Sequence, residues 1–355
     1  MAFTVLHTAD LHLGKSFSQL PPERAEQRRA DLLATLTRLC RLARASHVDL
    51  LCIAGDLFDH PTPAMPALAA ARQALHEAEV PVLLVPGNHD PLQTGSPYLD
   101  AHWPSNVLVA AQSGWQRLAI TDYEVWAFGY ARGAAHDSPW ATFPGCGRKA
   151  LLALHAACLA PGLAADANYH PFTPTEIPPC SYLALGHHHR AVQVSRTPVA
   201  WYAGTPEPLE AEVTVAQALR VTLDAGGANV TPVDVATRRH RLVTVDVAGL
   251  SADAIWDRAL AAASADDLLT LRVVGMLEMS ASLDLPALRA ELSARCFAVE
   301  LDSAAVLLPD AISGEGMFAV LQEVAQARAA QGDAAERARV ARAVRYAALA
   351  LEGRL

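Results

Sequence analysis

Five times before residue 190, a short apolar run ends in a cluster of carboxylate, imidazole or amide side chains. Phe3–Thr8 leads into Asp10-Leu11-His12, and residues 48–54 lead into Gly55-Asp56-Leu57-Phe58-Asp59. Residues 80–86 run into Gly87-Asn88-His89-Asp90, Ala150–His155 ends on His155 itself, and Tyr182–Gly186 runs into His187-His188-His189. Runs of this length, alternating with helix-periodic segments at 24–45 and 64–79, predict buried strands joined by helices, hence a mostly parallel sheet. In such a sheet, the loops beyond the carboxyl ends of the strands open on one crevice. Packing gives no reason to gather polar groups there, because burying one without a partner costs about 2–7 kcal/mol.

The residue types narrow the chemistry. Carboxylate, imidazole and amide donors without sulfur suit Mn, Fe, Zn or Mg better than a soft metal. In Asp10-x-His12 and His187-x-His189, residues two apart on extended backbone point the same way and can hold one ion. A shared carboxylate, for which Asp56 is the obvious choice, can hold two cations about 3.5–4 Å apart, the spacing that clamps a phosphoryl group. Taken singly, each cluster has an ordinary reading as a turn sequence or a hydrogen-bonded core histidine. Five in succession, each after a strand, do not.

In this order, Asp-x-His, Gly-Asp-x-x-Asp, Gly-Asn-His-Asp, His and Gly-His-x-His, the motifs resemble those of the calcineurin-like metallophosphoesterases. The fuller strings, residues 7–14, 55–59 and 86–90, together with Tyr202-Ala-Gly-Thr-Pro-Glu-Pro-Leu209, are similar to the DNA-repair exonuclease branch of SbcD/YhaO type. The resemblance extends over about residues 1–240. It implies an α/β fold, a four-layer αββα sandwich, with a smaller C-terminal α/β cap domain and terminal helices. It also implies two divalent metal ions, most simply Mn²⁺. Asp10, His12, Asp56 and His189 would hold one ion, and Asp56, Asn88, His155 and His187 the other. His89 would stand over the scissile phosphate and assist the leaving oxygen, with Asp59 and Asp90 orienting neighbouring groups. The implied activity is hydrolysis of a DNA phosphodiester, exo- or endonucleolytic, in DNA repair, beside an SbcC/Rad50-like coiled-coil ATPase. A homodimer through nuclease-domain helices is a further expectation.

The rest of the sequence bounds this reading. With 52% hydrophobic residues, the chain of 355 can bury a large core, which excludes wholesale disorder. A net charge of −9 argues against a globally basic nucleic-acid binder, though not against a local patch. The N-terminus lacks a secretory leader, no apolar run is long enough to span a bilayer, and the six cysteines are scattered; the expectation is a cytoplasmic protein with reduced thiols. Runs at 107–110, 115–120 and 124–129 read as antiparallel strands with tight turns. A break near Arg238–His240 suggests three regions: 1–240 for the metal chemistry, 241–312 as a β-α-β-α-β cap, and 313–355 as two helices. Of the latter, the helix over 334–351 carries Val340, Val344, Ala348 and Leu351 on one face, offered to the ATPase.

Several other residues have two readings. Lys15, Arg24, Arg28 and Arg29 are either a phosphate-binding patch or a solvated helix face. His7 reads as packed, His188 as turned from the metals, and Trp103 and Trp140 as loop anchors. Two alternatives to a DNA nuclease stand: a phosphoesterase for a nucleotide, another small phosphoester or a phosphoprotein, and a non-catalytic regulatory subunit of an ATPase complex.

Overall fold

The computed structural model describes residues 2–100, 102–120, 123–131, 136–163, 167–210, 213–276, 283–307 and 317–333, and beyond these residues 336, 337, 339, 340, 343, 344 and 347. The chain divides into two compact units, Met1–Arg238 and Arg239–Leu355.

The first unit holds two six-stranded sheets. The first sheet begins with β1 (Phe3–Thr8), β2 (Leu50–Ala54), β3 (Val82–Val85) and β4 (Val107–Val109), all parallel. The second contains β5 (Gly114–Leu118), β6 (Glu124–Gly129), β7 (Ala150–His155), β8 (Tyr182–Gly186), β9 (Val192–Arg196) and β10 (Val199–Tyr202), in the order β5-β6-β7-β8-β10-β9. The chain then returns to the first sheet as β11 (Ala218–Asp224), antiparallel to β1, and β12 (Gly227–Val233), antiparallel to β11.

Side-chain alternation explains why β1–β3 read as continuous apolar runs. On one face Leu6, Leu51, Ile53 and Leu84 pack against α1 (Pro22–Ala45) and α2 (Met65–His76). On the other, Phe3, Val5, Leu50, Cys52, Leu83 and Val85 meet Val125, Ala127, Leu151, Ala153, Tyr182 and Ala184 of the second sheet. α1 starts on a proline in its first turn and buries Leu32, Leu36, Leu39 and Ala43 at helical spacing. A single turn, α3 (Pro97–Asp100), follows the third cluster.

The strand runs from 107 onward behave differently from the expectation. Only β5 and β6 pair antiparallel; β4 joins β3 in parallel, and β6 joins β7 in parallel. The short segment after β4 is not a hairpin turn but the passage from one sheet to the other. Asn106 fixes the start of β4 itself, its amide donating to the carbonyls of Leu75 and Val80 at 2.9 and 3.0 Å. The β9–β10 hairpin has no strong sequence pattern to announce it. The outer face of the second sheet is covered, among the described residues, by two 3₁₀ turns, Pro139–Thr142 and Pro174–Glu176, and by an aromatic group. Trp115, Trp126, Trp140 and Phe143 pack there on Phe128 and Phe172. The tryptophans thus anchor loops, Trp103 likewise donating to the carbonyl of Pro97.

In the second unit β13 (His240–Asp246), β14 (Leu268–Met276) and β15 (Ala298–Leu307) form a parallel sheet. The crossover helices α4 (Ala252–Ala261) and α5 (Leu285–Arg295) are N-capped by Ser251 and Asp284, which accept from Ala254 N and Ala287 N. Ile255, Ala259, Leu288 and Leu292 close the core over Leu269, Leu271 and Val273. α6 (Met317–Gln331) follows, with Val320, Leu321 and Val324 exposed. Of the terminal stripe, Val340 and Val344 are described and helical, whereas Ala348 and Leu351 lie outside the described residues. No described helix is long and apolar enough to cross a membrane, and all six cysteines are free.

Candidate dinuclear metal centre

The five clusters meet at one end of the two-sheet sandwich, three from the first sheet (after β1, β2 and β3) and two from the second (at the ends of β7 and β8). The loops after β1 and β2 are laced together in parallel: Asp10 N donates to Gly55 O at 3.0 Å, His12 N to Asp56 O at 3.0 Å, and Leu13 N to Leu57 O at 2.9 Å. This lacing holds Asp10, His12 and Asp56 at φ of 53°, 49° and 52°, and His187 stands at 109°. Non-glycine residues seldom adopt these values, and such strain persists where surrounding structure enforces it, often at functional sites. Gly55, at φ +100°, is required twice over: a Cβ there would lie 2.1 Å from His155 Nδ1.

The side chains converge in the same order. Asp56 Oδ2 lies 3.5 Å from His12 Nε2 on one side and 3.5 Å from His155 Nε2 on the other. Asn88 Oδ1 lies 2.7 Å from His155 Nε2 and 3.1 Å from His187 Nδ1. Asp10, His12 and His189 form a second gathering, each offering one atom within 4.8 Å of the others, and Asp10, Asp56 and His155 form another. Donor atoms bound at about 2.0–2.2 Å to a shared cation sit roughly 3 Å apart when near right angles, so these separations fit two ions astride Asp56. His12 Nε2 is buried with no hydrogen-bond partner although it faces a carboxylate, as expected of an atom aimed at a cation.

Electrostatics agree. Burial pushes the Asp10 carboxyl up to about 6, against the opposing pull of His189 and the His187 backbone N–H. Burial, then the charges of Asp90 and Asp10, raise Asp56 well above the usual carboxylate range. Burial lowers His12 to about 4 and holds His155 well below the usual imidazole value, with His187 adding to the effect. These are buried carboxylates short of positive charge beside neutral imidazoles, the donor set that a divalent cation completes.

Around them stand residues that orient. Asp59 accepts from His12 Nδ1 at 2.9 Å, and Lys15 Nζ is 3.6 Å from the same oxygen. Although burial opposes ionisation of Asp59, the His12 hydrogen bond and the Lys15 charge hold its carboxyl below the ordinary value. Asp90 is fully buried beneath the site, accepting from Gly87 N, Phe58 N and Tyr98 OH at 2.8, 2.9 and 2.6 Å. It anchors the third loop rather than facing the mouth. His89 is different: its ring is 44% exposed, its backbone N–H donates to Asp56 Oδ1 at 2.9 Å, and its Nδ1 is 3.3 Å from the Asp59 carbonyl. One of its ring nitrogens also comes within ligand range of His12 and Asp56.

Residues 3–137 match the family model described as calcineurin-like phosphoesterase. Those residues form a calcineurin-like metallophosphoesterase domain. Its relatives include the uncharacterized metallophosphoesterase YhaO of Bacillus subtilis, 28% identical over 58% of this chain and 53% of that protein. The DNA double-strand break repair protein Mre11 of Saccharolobus solfataricus is 35% identical over 24% of this chain and 22% of its own length. The SbcD component of the nuclease SbcCD from Staphylococcus epidermidis is 31% identical, again over 24% and 22%. The match thus spans about half of YhaO and about a fifth of the other two.

All seven expected metal-site residues come together, with His89 beside them, and three of them, His155, His187 and His189, lie beyond the matched residues. His7 packs between the sheets, its Nδ1 2.9 Å from Tyr182 OH. His188 turns from the donor atoms to line a cavity of about 300 Å³ with Cys158, Leu163, Tyr202 and Val213. Arg28 is neither phosphate patch nor solvated face: it is 1% exposed and ion-paired with Glu207 and Asp31. Two groups carry no signal in the sequence motifs, Tyr98 under Asp90 and Glu210 beside His189. Glu210 lies only one residue beyond the 202–209 string, but nothing local marks it as a partner for a histidine 21 positions earlier.

Proposed function

We propose that this chain is a dinuclear-metal-dependent phosphodiesterase that cleaves DNA, working in DNA repair with a coiled-coil ATPase of the SbcC/Rad50 type. The observation that carries the metal assignment is the position of Asp56 Oδ2, 3.5 Å from an imidazole nitrogen on either side. On this reading Asp10, His12, Asp56 and His189 would hold one ion, and Asp56, Asn88, His155 and His187 the other. Bound divalent cations, Mn²⁺ by preference, supply Lewis acidity toward the phosphoryl oxygens.

The chain's own residues do the rest. A carbonyl oxygen only accepts, so the contact to Asp59 O places the Nδ1 proton of His89 on that side. Its Nε2 is then the nitrogen left for the mouth of the site, where the protonated ring gives a proton to the leaving oxygen. Asp56 Oδ1 accepts from the His89 backbone N–H, so the carboxylate that would be shared by the two ions also sets the position of the acid. Lys15 stands at the same rim, and its charge attracts a phosphate oxygen.

DNA as substrate and an ATPase as partner are supported by the similarity to the Mre11 repair protein and the SbcCD nuclease. The exposed Val320, Leu321 and Val324 of α6 are the apolar face we assign to the ATPase. A second reading, a small phosphoester, draws on the net charge of −9 and on the 300 Å³ cavity beside His187–His189, which suits a compact leaving group. Incubation with Mn²⁺ and either labelled linear DNA or an aryl phosphodiester separates them. DNA degradation abolished by His89→Ala, with metal still bound, supports the nuclease. Diester turnover with inert DNA supports the second reading, and no turnover of either refutes both.

A further inference from the structure

Three imidazoles of the centre have Nδ1 held from behind, and the holders differ. His155 Nδ1 meets the neutral carbonyl of Ala54 at 3.1 Å. His12 Nδ1 meets the carboxylate of Asp59 at 2.9 Å. His189 Nδ1 meets the carboxylate of Glu210 at 3.3 Å. Asp59 belongs to the five clusters, whereas Glu210 does not.

Glu210 is delivered to this position by a built scaffold. Thr205 N donates to His189 O at 3.0 Å, tying the 202–209 segment to the histidine loop. Two residues on, the buried Glu207 carboxylate accepts from Arg28 at 2.7 Å, from Thr35 Oγ1 at 2.9 Å and from Thr237 N at 2.6 Å, which locks the segment against α1. With both ends of that short stretch fixed, Glu210 emerges beside His189. A carboxylate accepting from Nδ1–H fixes the tautomer, turns the lone pair of Nε2 toward Asp10 and His12, and makes the imidazole a stronger donor.

We propose that Glu210 is a positioning residue for His189 and strengthens the hold on one ion only, the one gripped by Asp10, His12, Asp56 and His189. This rests on the two-metal reading above. The other ion, held through His155 and its neutral carbonyl support, does not depend on Glu210. The Glu210 side chain is 54% exposed, so replacing it removes no core packing.

The test is calorimetric titration of the metal-free full chain with Mn²⁺, comparing wild type with Glu210→Ala and Glu210→Gln. Carboxylates that support metal-bound histidines typically contribute 10–100-fold in affinity. The expected result is a 10–100-fold loss at one of two sites in Glu210→Ala, partial recovery in Glu210→Gln, whose amide oxygen still accepts from Nδ1–H, and no change at the other site. An unchanged melting temperature of the metal-free variants shows that the effect is not one of folding. Two unaltered affinities, or equal losses at both, overturn the proposal. A wild-type chain that binds no Mn²⁺ overturns the two-metal reading itself, and this inference with it.

Discussion

Arg28 and Glu207, 179 residues apart in sequence, meet at 2.7 Å with each side chain only 1% exposed. Asp31 accepts from both Arg28 and Arg238, so the pair belongs to a buried network joining α1, the 202–209 segment and the end of the first unit. Removing one partner of such a pair leaves an uncompensated buried charge and costs about 3–5 kcal/mol. Arg28→Ala is therefore expected to lower the urea-unfolding free energy of the first unit by that amount. A loss under about 1 kcal/mol, the range of an exposed ion pair, contradicts the assignment.

Half of this relationship is legible in the sequence. Arg28 precedes Leu32 by one helical turn, so the same periodicity that buries Leu32, Leu36 and Leu39 also buries position 28. The charge of the side chain hides that, because a buried arginine is readable only when its partner is known, and although Glu207 stands in the 202–209 string, nothing local pairs it with Arg28. The same division holds at the candidate metal centre. Asp10, His12, Asp56, Asn88, His155, His187 and His189 are legible because each follows an apolar strand. That the strands split between two sheets follows from the family resemblance, which implies a two-sheet sandwich, but not from the strand runs themselves, because β4 to β5 is a change of sheet that looks like a turn in sequence. The motif sets Asp90 beside the acting groups, yet its three buried donors make it an anchor.

Gly55→Ala tests the packing of the second loop. The added Cβ would meet His155 Nδ1 at 2.1 Å, with φ at +100°. His155 must move, losing its contacts to Ala54 O and Asn88 Oδ1. The expected outcome is a Mn²⁺ affinity lowered more than about tenfold in calorimetry, along with a loss of about 1–3 kcal/mol in stability from backbone strain.

His7 makes acid stability predictable in the metal-free protein. Burial lowers its pKa from 6.5 to about 3, only partly opposed by the Leu185 backbone. The unfolded chain therefore binds the extra proton between those limits. The contribution is complete above pH 6.5 and is lost as pH falls toward 3, at up to about 1.4 kcal/mol per pH unit. His7→Asn, which does not protonate and keeps a polar atom for Tyr182, is expected to flatten the slope of unfolding free energy between about pH 6 and 4. An identical slope in the variant contradicts the burial of a neutral His7.

The proposed assignment of α6 to the ATPase can be tested separately from the chemistry. Val320 and Val324 are 60% and 62% exposed, so Val320→Glu with Val324→Glu removes apolar surface without disturbing a core. Aryl phosphodiester turnover should be unchanged, while co-purification with a coiled-coil ATPase should be lost. Retained co-purification shows that the partner uses another surface.

The most direct measurement is the anomalous-scattering map of a crystal soaked in Mn²⁺. Two peaks about 3.5–4 Å apart are predicted, one on each side of the Asp56 carboxylate, the first among Asp10, His12 and His189 and the second among Asn88, His155 and His187. A map without density at Asp56, while the protein is folded and Mn²⁺ is in excess, contradicts the account.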